Sequence, residues 1–342
     1  MKKLLYIFIL FLAILNANPG PGSSYHYGYS ARSVALSSSV VADKYHVFQS
    51  FANPALLNQC EGRNYGVSYF MLSLDRSIQS FYFSQKLIGN AGVSLALLRA
   101  GSGDFIGRDN FNNLTKEISA ADYYGLLSFG LGNSKGSGIG LSMRLHYSNL
   151  NVNADHVDNH SGTSIAVDLG GVFTIKNYQF GLKIQNMINP YLNWDIYKSD
   201  GSSNAYSEEY PLIISLGANI DSKSIFKWGK SNLFIQQDFY SLNYYDCNGD
   251  MNADIGCNSN SPSAKLVSTY EEQFFKLGYE YFIDDIVALR LGSEDFDKFN
   301  LGFGYIFNIK KLSLALDYAI NFGSQNEGVS HLMTWSFKKQ ND

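Results

Sequence analysis

Leu312-Ser313-Leu314-Ala315-Leu316-Asp317-Tyr318-Ala319-Ile320 decides how this chain is built. Every even position is large and apolar, and every odd one is small or charged. A period of two marks a strand with unlike faces. The same alternation sets Ile139, Leu141, Met143, Leu145 and Tyr147 against Gly140, Ser142, Arg144 and His146. Ile165, Val167, Leu169 and Phe173 likewise alternate with Ser164, Ala166 and Asp168. One such strand fits a soluble sandwich as well as a barrel, so the arrangement of all of them has to decide.

Fourteen strands can be read between residues 65 and 338, mostly eight to twelve residues long. A tilted strand needs about 9–11 residues to cross a bilayer. Their connections are sorted by length. Those after alternate strands are short: Gly89-Asn90, 131–137, Asn177-Tyr178, 221–229, 282–285 and 308–310. Four on the other side are long: 100–119, 149–162, 187–209 and 243–269. Outer-membrane barrels place short turns on the periplasmic side and long loops outside. The expected fold is therefore all-β, a transmembrane antiparallel β-barrel of about 14 strands over residues 65–342.

Such a sheet closes because an open edge in lipid leaves backbone groups unsatisfied at several kcal/mol each. The large apolar set is expected to face lipid. A charge on that face costs about 2–4 kcal/mol at the midplane, so phase sends Arg144, His146, Asp168, Lys183, Asp238, Arg290 and Asp317 into the lumen. Tyr65, Tyr123, Tyr147, Tyr210, Tyr240 and Tyr318 are expected to form interfacial girdles. Glycines within strands, Gly140, Gly170 and Gly302 among them, are read as points of sheet curvature.

Composition agrees. The 342 residues are 45% hydrophobic and only 16% charged, yet mean hydropathy is -0.12. After residues 4–15 no apolar run approaches the roughly 18–20 residues of a membrane helix, which excludes a helical membrane protein. The 24 Tyr and 24 Phe exclude a disordered chain. With 26 basic against 30 acidic residues and no Lys/Arg cluster beyond the start, no nucleic-acid partner is expected. Residues 1–17 read as a secretory signal: Lys2 and Lys3, an apolar run to Leu15, then Asn16-Ala17, with cleavage expected near Ala17. No Cys follows that run, so no lipid anchor is expected there.

Residues 18–64 do not alternate. Tyr29-Ser30-Ala31-Arg32-Ser33-Val34-Ala35 opens a short helix of small residues, and Phe51-Ala52-Asn53-Pro54-Ala55-Leu56-Leu57 follows. This stretch resembles the start of the PorV/PorQ family of outer-membrane barrels, in which an Ala-Arg segment precedes an Asn-Pro-Ala-Leu motif. Asp168-Leu169-Gly170-Gly171, Phe180-Gly181-Leu182-Lys183 and Leu301-Gly302-Phe303-Gly304 look like later strands of that family. Ser38-Ser39 departs from its preferred glycines, and no Gly follows Ala55. The family is similar to FadL-type fourteen-stranded barrels. The resemblance implies that residues 18–64 form a plug, with Arg32, Asn53, Pro54 and Ala55 as its motif. The Asn53-Pro54 turn is expected to touch lumen charges, and Arg32 to pair with Asp168 or Asp317.

Chemistry-bearing motifs are few. Asp246, Asn248, Asp250, Asn252 and Asp254 place oxygens at alternate positions like a calcium loop, but Met251 and Cys257 occupy the sixth and twelfth places where an EF-hand needs Gly and Glu. The same residues read more simply as a polar outer loop, and no metal is expected there. Cys247 and Cys257, ten apart, are candidates for a disulfide worth roughly 3 kcal/mol in the chain-entropy estimate. That would leave Cys60 free. His156 and His160 with Asp155 and Asp158 sit off any rigid element and read as a solvated loop. His146 and Ser142 share a phase without a nucleophile turn, so no enzyme and no cofactor are expected.

Two functions remain. The resemblance implies a non-enzymatic component of type IX protein secretion, whose partners are secreted cargo proteins and machinery components docking on the long loops. The alternative is a FadL-like transporter of a lipid-like, hydrophobic small molecule, motivated by the plug and by Phe105, Phe111, Tyr191 and Trp194. Either places the chain in the lipid of a bacterial outer membrane.

Overall fold

A computed structural model describes residues 22–73, 75–103, 105–108, 112, 114–152, 157–188, 191–198, 203–223, 229–246, 265–309, 311–323 and 328–339. Its strands are β1 (Arg63–Met71), β2 (Ser77–Lys86), β3 (Ala91–Gly101), β4 (Phe105–Arg108), β5 (Leu114–Gly132), β6 (Gly138–Val152), β7 (Val157–Ile175), β8 (Tyr178–Gln185) and β9 (Tyr191–Lys198). They continue as β10 (Ser203–Glu209), β11 (Leu212–Lys223), β12 (Gly229–Asp246), β13 (Lys265–Ile283), β14 (Val287–Glu294), β15 (Lys298–Ile309), β16 (Leu312–Phe322) and β17 (Val329–Lys339).

All described pairings are antiparallel. β17 returns to β1, with Tyr65 facing Phe337, so the sheet closes on itself. Fourteen strands make the wall. The other three, β4, β9 and β10, prolong it at the long-loop end, β4 on β5 and the β9–β10 hairpin on β7. Much of what reads as long loop in the sequence is thus strand: β5 begins at 114, β7 at 157 and β13 at 265. Those ends lack a clear period of two in the sequence, while the backbone ladder continues through them.

The two faces follow the phase. Ile139, Leu141, Met143, Leu145 and Tyr147 are exposed on the outside, whereas Ser142, Arg144 and His146 are buried inside. At the short-turn end Asp284 and Asp285 both take left-handed backbone, φ 51° and 57°, the hairpin geometry that short polar residues tolerate. Tyr65, Tyr123 and Tyr147 point outward. Tyr210 and Tyr240 do not: Tyr210 is buried against His146 inside the lumen, and Tyr240 packs on His26. Their places at strand ends resembled a girdle, but their phase is the inner one.

Residues 22–60 lie within the lumen. Ser30 caps helix Ala31–Ala35 by accepting from Ser33 N, and Asn53 caps the 3-10 helix Pro54–Gln59 by accepting from Ala55 N. Ser37 and Ser38 take φ 50° and 56°, left-handed backbone that glycine would adopt without strain. The segment meets the wall at inward glycines that are neighbours across the ladder: Gly130, Gly140 and Gly170, then Gly181 and Gly217, then Gly278 and Gly292. A Cβ at Gly130 would stand 2.6 Å from Pro54 O, and one at Gly292 would stand 2.5 Å from Ser37 N. These glycines admit a second layer of backbone, a reason beyond the curvature read from sequence.

Aromatic packing fills what remains. Tyr29 stacks on Phe51 at 4.7 Å between ring centroids, and Phe48 lies 5.3 Å from Tyr82. Substituting Gly130→Val should therefore dislodge the segment while leaving the wall closed, since overpacking costs about 1–3 kcal/mol. The expected outcome is faster proteolysis within residues 22–60 with unchanged heat-modifiable migration on gels.

Candidate functional site

The segment is fastened at its middle. Arg32, on the helix, donates from Nε and Nη2 to Glu280 Oε1 and Oε2 at 2.9 and 2.8 Å, a bidentate pair. It also pairs with Asp43 of its own segment. Glu280 Oε1 accepts from Arg290 Nε at 2.7 Å, and Arg290 Nη1 donates to Asp317 at 2.7 Å. Arg32 thus finds neither Asp168 nor Asp317, the partners expected from sequence; Arg290 occupies Asp317, and Arg144 lies 3.6 Å from Asp168. Burial disfavours the Arg32 charge, but Asp43 and Glu280 outweigh it and hold its pKa above the ordinary value.

Asn53 touches backbone rather than charges. Its Nδ2 donates to Val41 O, Gly171 O and Leu182 O at 3.0, 3.2 and 3.1 Å, tying the segment to β7 and β8. Pro54 and Ala55 lie against Gly140 and Gly170, and Lys183 Nζ donates to Phe51 O at 2.7 Å. Asp238 is paired with Lys276 at 2.7 Å. The motif's work is attachment.

A second cluster surrounds a fault in the wall. Thr163 of β7 faces Asn193, whereas Leu169 faces Ile184, so the five residues 164–168 on one side stand against the eight residues 185–192 on the other. The register slips by three residues there, and Ser164, Ile165 and Ala166 have no ladder partner on that side among the described residues. Asn186 turns the chain at φ 58°. It is held by Asp168, which accepts its N–H at 3.1 Å, by Arg144, and by Pro211 O at 2.7 Å. Nearby, His146 bonds Tyr210 OH and lies 3.2 Å from Asp122, which also accepts from Ser24 at 2.7 Å. Ser142, which shares the inner phase with His146, is bonded to Ser128 instead.

Open space lies on both sides of the wall. A cavity of about 800 Å³ separates Arg32, His46 and Phe48 from Ser313, Ala315 and Asp317 toward the short turns. Outside, an apolar concavity of about 1230 Å³ runs over Val67, Phe81, Leu97, Gly125, Leu145 and Ile165 to Ile188 and Tyr191 at the fault. Tyr124, His146 and Ser164 of the inner layer also line it. Trp194, with Tyr191, belongs to β9 and donates to Glu208 at 3.2 Å.

Several expectations fall outside the described residues: the signal segment 1–17, Cys247 and Cys257, and Asn248, Asp250, Asn252 and Asp254. Of Asp246 only the backbone is described, as the last residue of β12. Cys60 is a buried thiol at the foot of β1, bonded by Asn64 and 3.5 Å from Ser84 Oγ. Phase alone would have marked Glu280 and Lys276 as inward. Asp43 and His46 carry no such signal, because residues 18–64 have no period.

These features define a FadL-like fourteen-strand barrel with its N-terminal segment in the lumen. Solved structures with this fold include the Pseudomonas putida toluene transporter TodX (TM-score 0.58, 11% identity, 92% of this chain and 99% of that one). The CymD monoaromatic hydrocarbon channel matches with TM-score 0.55 and 12% identity over 92% and 98%. A Pseudomonas aeruginosa FadL homologue matches with TM-score 0.52 and 11% identity over 90% and 97%. No family model and no curated protein matches the sequence.

Two predictions arise. Arg32→Met leaves Asp43 without its partner and should loosen the segment by about 3–5 kcal/mol, as breaking buried pairs does. Hydrogen exchange at residues 30–45 should then accelerate while the strands stay protected. The second concerns His46, which is buried within the segment. Burial first, then Arg32 and Arg290, hold its pKa well below the usual range. It is neutral in place and protonates only when released, so the segment's attachment is full above about pH 6.5 and weakens below it. The expected slope is about 1.4 kcal/mol per pH unit. Exchange measured between pH 7.5 and 5 should follow that slope, and His46→Gln should reduce it.

Proposed function

We propose that this protein is an outer-membrane channel for a hydrophobic small molecule, which leaves the barrel sideways at the β7–β9 fault. One observation carries this reading. The lumen is filled along its axis by residues 22–60, while the wall has an unpaired stretch opening onto an apolar concavity. An apolar solute loses little on passing from such a concavity into lipid tails, whereas a water-filled exit would cost it about 25 cal/mol per Å² exposed. The names of the structural neighbours, a toluene transporter and a monoaromatic hydrocarbon channel, support the same class of substrate.

The secretion reading rests on the motif resemblance around Arg32 and Asn53-Pro54-Ala55, and the structural neighbours give it no added support. Cargo docking would use the long-loop end, where β4 and the β9–β10 hairpin extend the wall.

The test is uptake of radiolabelled toluene by a deletion strain complemented with the wild type or with Ile188→Trp, which fills the concavity at the fault. Deletion should lower uptake several-fold, the wild type restore it, and Ile188→Trp fail to restore it despite normal heat-modifiable migration. Unchanged uptake in the deletion strain, together with type IX cargo retained in the cell, would replace transport with cargo handling.

A further inference from the structure

The inner layer contains a small polar cavity that neither the attachment network nor the wall fault explains. It measures about 50 Å³ and lies between the segment, at Tyr25, His26, Tyr29 and Phe51, and the wall, at Lys183, Gln185, Asp238 and Lys276. A water-sized body takes about 10–15 Å³ on this measure, so there is room for about three to five.

The groups facing it are unevenly matched. Lys183 is 3% exposed, and its one described hydrogen bond goes to Phe51 O. Among the described residues it forms no ion pair: Asp238 is bonded by Lys276, and Asp168, whose Oδ2 has no hydrogen-bond partner, lies 3.6 Å from Arg144 and does not line the cavity. Gln185, 5% exposed, has an unpartnered Nε2, and the hydroxyls of Tyr25 and Tyr29 are buried without partners. All these unfilled groups can donate. The one carboxylate lining the cavity, Asp238, is already bonded by Lys276 at 2.7 Å and by Gln236 at 2.8 Å.

An ammonium carries three donors, and leaving its charge buried and uncompensated is costly. Water would satisfy the donors but not the charge. An anion does both. We propose that this cavity binds a small monovalent anion, of halide or formate size, that bridges Lys183 and Gln185 of the wall to Tyr29 of the N-terminal segment. The anion then acts as a second fastening of the segment, one further along β13 from Glu280, since Lys276 of that strand lines the cavity. The site is independent of what the channel carries.

The experiment uses the full-length barrel in detergent, with sodium bromide as probe. Crystals grown in bromide should show an anomalous peak within hydrogen-bonding distance of Lys183 Nζ. Hydrogen exchange of residues 49–55 should be about tenfold slower in chloride than in gluconate at equal ionic strength, gluconate being too large for the cavity. Lys183→Met and Gln185→Leu should each abolish that difference, and Lys44→Met, at an ion pair with Asp221 elsewhere on the segment, should preserve it. If either cavity variant fails to fold, the bromide crystal of the wild type decides alone. A cavity holding only water, with equal exchange in both salts, would overturn the proposal.

Discussion

Everything in this molecule depends on the closure of its backbone hydrogen bonds. A sheet whose outer face is Leu, Ile, Phe and Tyr cannot leave a free edge, because an unpaired amide in an apolar medium costs several kcal/mol. The pairing of β17 with β1 removes that edge. Closure then fixes the rest: one face must be lipid-like, and the other encloses a space that has to be filled or left to water. The unpaired stretch at Ser164–Ala166 is notable for this reason, since it occurs in a wall otherwise built to avoid it.

The enclosed space is filled by chain rather than by side chains. Inward glycines on β5 to β8, β11, β13 and β14 let the segment's backbone approach to contact distance. Polar links then fix its position: Arg32 to Glu280, Asn53 to carbonyls of β7 and β8, and Lys183 to Phe51 O. The buried ion pairs matter for register more than for net stability, as desolvation offsets much of their attraction. Their loss in one partner is nonetheless expensive, so the segment has few alternative seats.

The fault and the fastening divide the lumen between two tasks. Arg144 and Asp168 hold Asn186 at the fault, while Arg290 and Asp317 support the Glu280 that receives Arg32. Both pairs look alike in sequence, as opposite charges in the inner phase of strands. Their roles differ because one stands beside a register slip and the other beside a helix.

Sequence periodicity alone determined the wall: the fourteen strands, which residues face inward, and which end has the short turns, because a strand's phase is set locally by its own residues. It reached Arg144, Asp168, Lys183, Asp238, Arg290 and Asp317 for the same reason, and could have reached Glu280 and Lys276 by that phase. It could not choose Arg32's partner. Candidate carboxylates on β7, β13 and β16 are equally inward, and which of them meets Arg32 depends on where a non-periodic segment crosses the closed ring. The inward side of Tyr240 could have been read from its phase with Asp238, whereas the long strand ends beyond the alternating stretches and the slip at Asn186 were likewise decided by tertiary structure. Each depends on residues brought together across the barrel or on ladders that persist without an alternating face.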